Sequence, residues 1–279
     1  MYTTLISPRQ LMDAPGESLI VLDCRFQLDD PDYGHAAYER GHIPGAHYLH
    51  LDYHLSGSKN GQNGRHPLPD GQRLAVDLGA LGVGEGTQVV AYDDGTGQYA
   101  ARAWWLLRWL GHGKVAVLDG GIAAWLAAGG PLSQEKPQRR PCRYVMRQGL
   151  QRPLEAADVL ANLDDKRFTV VDARSPQRFR GIGETIDPVG GHIPGAANRF
   201  FMDNLTAEQH YKPAEQLRAE WEALLGEGFD PAAVVHQCGS GVTACHNLLS
   251  MEIAGFRGSR LYPGSWSEWC SDPSRPVER

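Results

Sequence analysis

The chain has 279 residues, 42% of them hydrophobic and 22% charged, so it can form one large domain or two of ordinary size. Its formal net charge of −6 gives no reason to expect a nucleic acid or an anionic membrane as partner. No stretch approaches the ~20 consecutive apolar residues of a membrane span. The first residues also lack the basic start and apolar run of a signal peptide.

The number and spacing of the cysteines argue against a disulfide-rich protein and against a Cys-x-x-Cys zinc protein. They are odd in number and widely spaced, so they form neither a disulfide framework nor a Cys-x-x-Cys zinc pair. We therefore expect a cytoplasmic protein with reduced thiols. The five positions are Cys24, Cys142, Cys238, Cys245 and Cys270.

The first half alternates short apolar, β-branched runs with segments of helical periodicity. This pattern is typical of an α/β layer built on a parallel sheet. Strands are predicted at residues 19–22, 88–92 and 114–118. Helices are predicted at residues 99–110 and 121–128.

The second half follows the same pattern after a stretch rich in Pro, Gln, Lys and Arg. That stretch, 131–150, is predicted to be a linker between an N-terminal domain, 1–130, and a C-terminal domain, 151–279. Strands are predicted at residues 168–172, 233–237 and 260–262, and helices at residues 154–162, 214–225 and 242–253.

The sequence repeats itself once. An Asp-x-Arg motif followed by Gly-His-Ile-Pro-Gly-Ala occurs in each half, and two further blocks match in the same order. Because the offset is about 150 residues, the repeated unit is a domain rather than a solenoid unit. We therefore expect two tandem α/β domains, each a mainly parallel sheet flanked by helices. The paired blocks are 20–25 with 170–174, 41–46 with 191–196, 89–97 with 234–241, and 118–125 with 262–269.

Residues that both halves share are expected to serve the fold rather than the chemistry. His42 and His192 lie in the two Gly-His-Ile-Pro-Gly-Ala blocks, and we interpret them as turn residues. Asp23 and Asp172, at the two strand ends, are interpreted in the same way.

One position differs between the halves in a way that decides where chemistry can occur. The second half has Cys238 where the first has Asp93, and a carboxylate cannot act as a sulfur nucleophile. We therefore expect the C-terminal domain to carry the nucleophile. The N-terminal domain is expected to supply a wall of the site and residues that support those in contact with the substrate, since ligand sites favour domain interfaces.

Cys238 is predicted to lie between a strand and a helix, on a loop that also carries Gly239 and Gly241. Such a loop directs backbone N–H groups, and the positive end of the helix dipole, at the sulfur. The hydroxyls of Ser240 and Thr243 add donors, and the whole loop favours a thiolate. The alternative is that Cys238 is a buried structural cysteine.

The loop sequence Cys-Gly-Ser-Gly-Val-Thr-Ala, residues 238–244, resembles the active-site loop of the 3-mercaptopyruvate sulfurtransferases, the two-domain members of the rhodanese superfamily. The repeated blocks also resemble the rhodanese fold, so the resemblance covers nearly the whole chain. Thiosulfate-specific rhodaneses typically have a basic pair where this chain has Gly239 and Ser240. The resemblance implies that four loop residues bind substrate: Gly239, Gly241, Val242 and Thr243.

The resemblance also implies a proton relay. In this family the serine two residues after the cysteine pairs with a His and an Asp from the first domain, and here these are Ser240, His66 and Asp52. The relay would supply a proton while the enolate of pyruvate leaves. The alternative is that His66 is a solvated loop residue, because residues 57–71 are rich in Gly and Asn.

For the carboxylate of the substrate, the family uses an arginine after the Asp-x-Arg strand, and Arg178 matches it. The alternative is that Arg178 is a surface helix residue. The family normally has a second arginine before the Gly-His-Ile-Pro-Gly-Ala block, but residues 183–190 contain no basic residue. Arg180 or Arg199 could substitute, so specificity for mercaptopyruvate is less well supported than sulfur transfer.

Other cysteine chemistries fit less well. Rhodanese-fold phosphatases use Cys-x5-Arg, and the residue six after the cysteine here is Ala244. A cysteine protease needs a positioned histidine base, and no motif positions His236 or His246 for that role. Cys245 could form a redox pair with Cys238, although its place in the helix favours buried packing.

The sequence therefore predicts a sulfurtransferase that moves sulfur from 3-mercaptopyruvate, through a persulfide on Cys238, to a thiol, cyanide or protein-thiol acceptor. No metal or organic cofactor is implied. Two alternatives stay open: thiosulfate as the donor, and a non-enzymatic sulfur-carrier or sensing module. The neutral pair Gly239-Ser240 argues against a dianionic donor.

Overall fold

The computed structural model describes residues 1–14, 18–138 and 140–279. The chain forms two compact units, each of which contains a segment from the other half of the sequence. The first unit is Met1–Gly57, Pro69–Leu150 and Ala207–His210, and the second is Ser58–Leu68, Gln151–Thr206 and Tyr211–Arg279.

These units differ from the predicted division of the chain. The described residues of the predicted linker, 131–150, belong to the first unit, because their backbone pairs with it. His42 and Ser133 exchange backbone hydrogen bonds of 3.0 and 2.8 Å, and the N–H of Cys142 donates to the carbonyl of Gly79 at 2.9 Å. Composition predicted a linker here because these pairings are too short to produce periodicity.

The first unit is built on a parallel five-stranded sheet in the order β1-β5-β4-β2-β3. Its strands are β1 (Leu5–Ile6), β2 (Leu19–Asp23), β3 (Ala46–Tyr48), β4 (Gln88–Tyr92) and β5 (Val115–Leu118). Its helices are α1 (Pro8–Met12), α2 (Tyr33–Arg40), α3 (Gly71–Ala80), α4 (Gln98–Trp109) and α5 (Gly121–Ala127).

The second unit is built on a parallel four-stranded sheet in the order β7-β6-β8-β9. Its strands are β6 (Thr169–Asp172), β7 (Ala197–Asn198), β8 (Val234–Gln237) and β9 (Arg260–Leu261). Its helices are α6 (Ala156–Asp165), α7 (Pro176–Phe179), α8 (Ala214–Leu225), α9 (Thr243–Ile253) and α10 (Ser265–Trp269), with 3₁₀ turns at Phe201–Asn204 and Pro231–Ala233.

The repeat predicted from the sequence is present in the strand order. Read from β5 to β3, the first sheet runs β5-β4-β2-β3, and the second runs β9-β8-β6-β7, so equivalent strands occupy equivalent positions. The central strands β2, β4, β6 and β8 are rich in Val, Ile, Leu and Ala and are mostly buried, as expected for a parallel sheet covered on both faces. The predicted fold class is confirmed.

The longer predicted elements are confirmed with small shifts at their ends. The predicted helix at 154–162 is displaced, because Leu154 pairs with Leu261 through a 2.7 Å backbone hydrogen bond and the helix begins only at Ala156. Short elements were missed, because two to five residues carry too little periodicity. Two longer helices, α2 and α3, were also missed. The missed elements are β1, β3, β7, α1, α2, α3, α7 and α10.

Each Asp-x-Arg motif forms a buried ion pair that ties a strand end to the following turn. In the second unit, the guanidinium of Arg174 donates to both carboxylate oxygens of Asp172 and to the carbonyl of Gly191 at 2.7 Å. In the first unit, Arg25 does the same with Asp23 and with the carbonyl of Gly41 at 2.8 Å. The motif therefore serves the fold, as its presence in both halves predicted.

The two repeated histidines have the same kind of surroundings in the two units. His42 stacks on Tyr38 with ring centroids 3.9 Å apart, and His192 stacks on Phe179 at 3.7 Å. In both cases Nδ1 makes a hydrogen bond to the carbonyl of the residue on which the ring stacks. Both histidines are buried fold residues.

We expect Asp172→Asn to lower the free energy of unfolding of the second unit by about 3 kcal/mol, because it removes the paired carboxylate and leaves the buried Arg174 guanidinium to the more distant carboxylate of Glu184, 3.9 Å from Nη1. The two side chains are 0% and 1% exposed. Urea unfolding measures the change. Asp165→Asn is the control, because it removes an exposed ion pair with Arg167 and costs at most about 1 kcal/mol. Equal effects of the two substitutions would contradict the structural role.

Candidate active site

Cys238 is the first residue after β8, and the loop that begins there curls back over its sulfur. The N–H of Gly241 donates to Cys238 Sγ at 3.2 Å. This curl requires a backbone φ of +79° at Gly241, a conformation that favours glycine. Helix α9 begins two residues later, so its positive end lies beside the loop.

The segment that leads from β9 into α10 also holds the cysteine loop. Ser265 Oγ accepts the N–H of Cys238 at 3.1 Å and donates to the carbonyl of Tyr262 at 2.9 Å. The N–H groups of Trp266 and Ser267 donate to the carbonyls of Cys238 and Gly239, both at 2.9 Å. The repeated block 262–269 therefore supports the site as well as marking the duplication.

The equivalent loop of the first unit holds a carboxylate in place of the thiol. Four backbone N–H groups donate to Asp93, two to each carboxylate oxygen, at 2.9–3.3 Å. Burial raises the pKa of Asp93, and the four donors oppose that effect. The loop thus directs backbone N–H groups at the residue after the strand in both units, but that residue is a carboxylate in the first unit and a thiol in the second.

The segment Ser58–Leu68, which packs in the second unit, brings a histidine to the cysteine loop. His66 Nδ1 lies 2.7 Å from Ser240 Oγ. Its side chain is buried, with the residue 4% exposed, so the alternative of a solvated loop histidine is wrong. Asp52 belongs to the first unit, and its pairing with His66 stays a prediction.

Arg178 follows the Ser175 N-cap of the short helix α7 and is half-buried, so it is not a simple surface residue. Its Nε and Nη2 atoms donate to the two carboxylate oxygens of Glu184 at 2.9 and 3.0 Å. Burial alone lowers the pKa of Arg178, but Glu184 outweighs burial and raises it. Burial alone would raise the pKa of Glu184, but Arg178 and the backbone N–H groups of Ile186 and Asp187 hold it below its ordinary value.

A second arginine beside the loop, Arg65, was missed. A Cβ placed on Gly239 would lie 2.8 Å from Arg65 Nη2 and 3.5 Å from Arg178 Nη1. The signal was available, because Arg65 adjoins His66, and a neighbour of a site histidine must itself lie near the site. Arg180 is instead exposed, and Arg199 donates to Asn204 and Glu220 at 2.8 and 2.7 Å.

The two arginines change the charge that the loop sequence alone predicts for the site. The pair Gly239-Ser240 is neutral, but two guanidinium groups lie beside it. Both contact carboxylates, Arg178 with Glu184 and Asp187, and Arg65 with Asp187. The formal charges of this cluster cancel, so neutrality of the loop sequence alone does not decide between donors.

The residues considered for other chemistries have structural surroundings. His236 Nε2 lies 3.0 Å from Met251 Sδ, and burial lowers the pKa of His236 to about 3, so it is neutral. His246 stacks on Tyr211 at 4.4 Å. Cys245 is fully buried within α9 and donates to the carbonyl of Gly241 at 3.3 Å, in line with packing.

Across residues 1–14, 18–138 and 140–279, no group of three or more His, Cys, Asp or Glu side chains is arranged to hold a metal ion. Within the same described residues, none of the helices has the length and apolar character needed to cross a membrane.

Comparison with known proteins agrees with the fold. A family model described as the Rhodanese-like domain matches residues 7–128 and 155–272. The chain therefore belongs to the rhodanese family and contains two copies of its domain.

The relatives define the class of enzyme more closely. The chain is 49% identical over 276 residues to a Pseudomonas aeruginosa protein named "Probable 3-mercaptopyruvate sulfurtransferase", covering 98% of this chain and 97% of the relative. It is 34% identical over 279 residues to the Mus musculus protein named "Thiosulfate sulfurtransferase", covering 96% and 92%. The structure titled "3-mercaptopyruvate sulfurtransferase from Leishmania major" matches with a TM-score of 0.87 and 28% identity, covering 98% of this chain and 75% of that chain. Within the family, the chain is one of the two-domain sulfurtransferases.

We expect Gly241→Ala to lower the free energy of unfolding and to slow alkylation of Cys238 by iodoacetamide. The left-handed backbone alone costs about 1–3 kcal/mol, and the new Cβ would collide with the carbonyl oxygen of Pro263, so the N–H must move away from the sulfur. Urea unfolding and mass spectrometry of the Cys238 peptide measure both effects.

Gly195→Ala is the matched control, because Gly195 has φ +74° and a Cβ added there would meet no atom within 4 Å. It should show the backbone cost without the loss of thiol reactivity. The same alkylation rate in both variants would contradict a role of the Gly241 N–H.

Proposed function

We propose that the chain transfers sulfur from 3-mercaptopyruvate, through a persulfide on Cys238, to a thiol or cyanide acceptor, releasing pyruvate. The observation that carries this proposal is the pairing of His66 Nδ1 with Ser240 Oγ at 2.7 Å, on the loop whose Gly241 N–H donates to Cys238 Sγ. The name of the Pseudomonas aeruginosa relative supports the same donor.

In the first step the Cys238 thiolate attacks the sulfur of 3-mercaptopyruvate. A sulfur–sulfur bond forms and the carbon–sulfur bond of the donor breaks, and its electron pair passes to the enolate of pyruvate. Cys238 is then a persulfide. The Gly241 N–H and the positive end of α9 stabilise negative charge on this group, with Gly239, Val242 and Thr243 forming the rest of the cradle.

The departing enolate needs a proton, and Ser240 is the proposed donor. Its hydroxyl delivers the proton while His66, in hydrogen-bond contact, replaces it. Asp52 is proposed to orient the histidine and to stabilise its charged form, as the aspartate does in other Ser-His-Asp arrangements.

Arg178 is the proposed partner of the substrate carboxylate. Its Nη1 faces the space beside Gly239, next to the nucleophile, while its other nitrogens are held by carboxylates. A guanidinium fixed in this way is preorganised to bind a carboxylate.

In the second step a nucleophilic acceptor attacks the outer sulfur and restores the Cys238 thiolate, which gives ping-pong kinetics. The acceptor is a small thiol, cyanide or a protein thiol, and the net charge of −6 gives no reason to add a nucleic acid or a membrane. We propose a cytoplasmic location, where a low-molecular-weight thiol would be reduced and available.

Thiosulfate is the second candidate donor. The two guanidinium groups beside Gly239 favour it, as does the name of the mouse relative. Sulfite leaves thiosulfate as a stable anion, so this donor needs no proton relay. The sulfurtransferase relatives argue against the alternative of a non-enzymatic carrier or sensing module.

We expect incubation with 3-mercaptopyruvate, without an acceptor, to add the mass of one sulfur atom to the peptide that contains Cys238. Mass spectrometry of the intact chain and of its peptides measures the addition. Cys238→Ala should show none, whereas Cys245→Ala, which removes a buried thiol of α9, should still show it. No addition to the wild-type chain, or addition that persists in Cys238→Ala, would reject the proposal.

We expect Ser240→Ala and His66→Gln each to lower kcat with 3-mercaptopyruvate by about 100-fold, because general acid catalysis contributes at least that much. Turnover of thiosulfate by the same variants should change little, since sulfite leaves without a proton. The measurement compares the initial rates of each variant with the two donors. The rate with thiosulfate is the control for the rate with 3-mercaptopyruvate. An equal loss with both donors would argue against the relay and for a structural role of the pair.

A further inference from the structure

Two arginines of the second unit share one buried carboxylate. Asp187, 2% exposed at its side chain, accepts from Arg178 Nη2 at 2.9 Å through Oδ2 and from Arg65 Nη1 through Oδ1. The two guanidinium groups are therefore held side by side. The N–H of Arg65 adds a further anchor, because it donates to Ser267 Oγ at 3.0 Å.

The guanidinium nitrogens that do not contact Asp187 or Glu184 face the cysteine loop. A Cβ on Gly239 would lie 2.8 Å from Arg65 Nη2 and 3.5 Å from Arg178 Nη1. Neither nitrogen donates to an acceptor in the part of the chain that the structure describes. Because Gly239 has no side chain, the two guanidinium nitrogens approach the backbone directly beside Cys238, where both can donate to a small anionic group.

We propose that Arg65 is the second arginine of the substrate site. Together with Arg178 it forms a clamp in which the donor carboxylate receives one hydrogen bond from each guanidinium, above Gly239. The proposal rests on the proposed function, since it assumes a carboxylate-bearing donor. It assigns a substrate-binding role to a residue of the segment 58–68, which also carries His66.

The clamp accounts for the missing basic residue between 183 and 190. That stretch has an acidic residue, Asp187, in ion-pair contact with an arginine from a different part of the sequence. The stretch where the family has an arginine thus carries the acidic member of an ion pair, and the basic member comes from the segment 58–68. The proposed site therefore still has a second positive group facing the substrate, but this group is Arg65 rather than a residue of 183–190.

The kinetic test uses Arg65→Met and two further variants, Arg65→Asp alone and Arg65→Asp combined with Asp187→Arg. We expect Arg65→Met to raise KM for 3-mercaptopyruvate about tenfold or more, with a smaller effect on kcat, because a charge-assisted hydrogen bond to the substrate is lost. Arg65→Asp should be at least as impaired, and the double variant with Asp187→Arg should recover most of the loss. Arg167→Ala, which removes an exposed positive charge elsewhere in the unit, should leave KM unchanged.

A second readout does not depend on sulfur transfer. Iodoacetate and iodoacetamide both form a thioether with Cys238 and release iodide, but only iodoacetate carries a carboxylate. In the wild type we expect iodoacetate to be favoured, and Arg65→Met should lower the ratio of the two alkylation rates at Cys238 about tenfold. A mere displacement of His66 would lower kcat without changing this ratio.

The outcomes separate this inference from the proposed function. If the wild type does not turn over 3-mercaptopyruvate but the alkylation ratio depends on Arg65, the donor assignment is wrong and the clamp stands. If turnover is normal and Arg65→Met changes neither KM nor the ratio, the clamp is overturned and the donor assignment stands. A double variant no better than Arg65→Asp alone would overturn the charge exchange.

Discussion

The hydrogen bond from the Gly241 N–H to Cys238 Sγ is the interaction on which the site depends. It exists because the chain turns sharply between β8 and α9, with φ +79° at a residue that has no side chain. The turn is held by the first two residues of α10, because Ser265 Oγ accepts the N–H of Cys238 and the N–H of Trp266 donates to the carbonyl of Cys238. The contact to the Cys238 thiol is thus set by backbone geometry.

The duplication provides an internal comparison for that geometry. The loop of the first unit gathers four N–H groups around the buried carboxylate of Asp93, where burial raises the pKa and the four donors oppose that effect. At the equivalent position of the second unit, the N–H of Gly241 donates to the sulfur of Cys238. The two halves have therefore kept one architecture for two purposes.

Much of this could be predicted from the sequence, and the reasons are local. Strand β4 contains the apolar run Val89-Val90-Ala91 and β8 begins with the apolar pair Val234-Val235, and the cysteine loop follows β8 directly. What could not be predicted depends on contacts distant in sequence: Arg65 and Asp187 are 122 residues apart and have no shared motif. The same limit applies to the segment 131–150, whose composition indicates a linker although single backbone hydrogen bonds tie it to the first unit.

The placement of residues 58–68 has a consequence for how the two halves depend on each other. The second unit contains Cys238, but a chain cut at the sequence boundary near residue 151 would lack both the histidine beside Ser240 and the arginine beside Gly239. The N-terminal half of the sequence has an aspartate at the position of the cysteine, yet it encodes two side chains that lie against the cysteine loop of the other half. Neither copy of the repeat can therefore be removed, or replaced by the other, without changing the surroundings of this loop, which is a physical reason for such a chain to keep both.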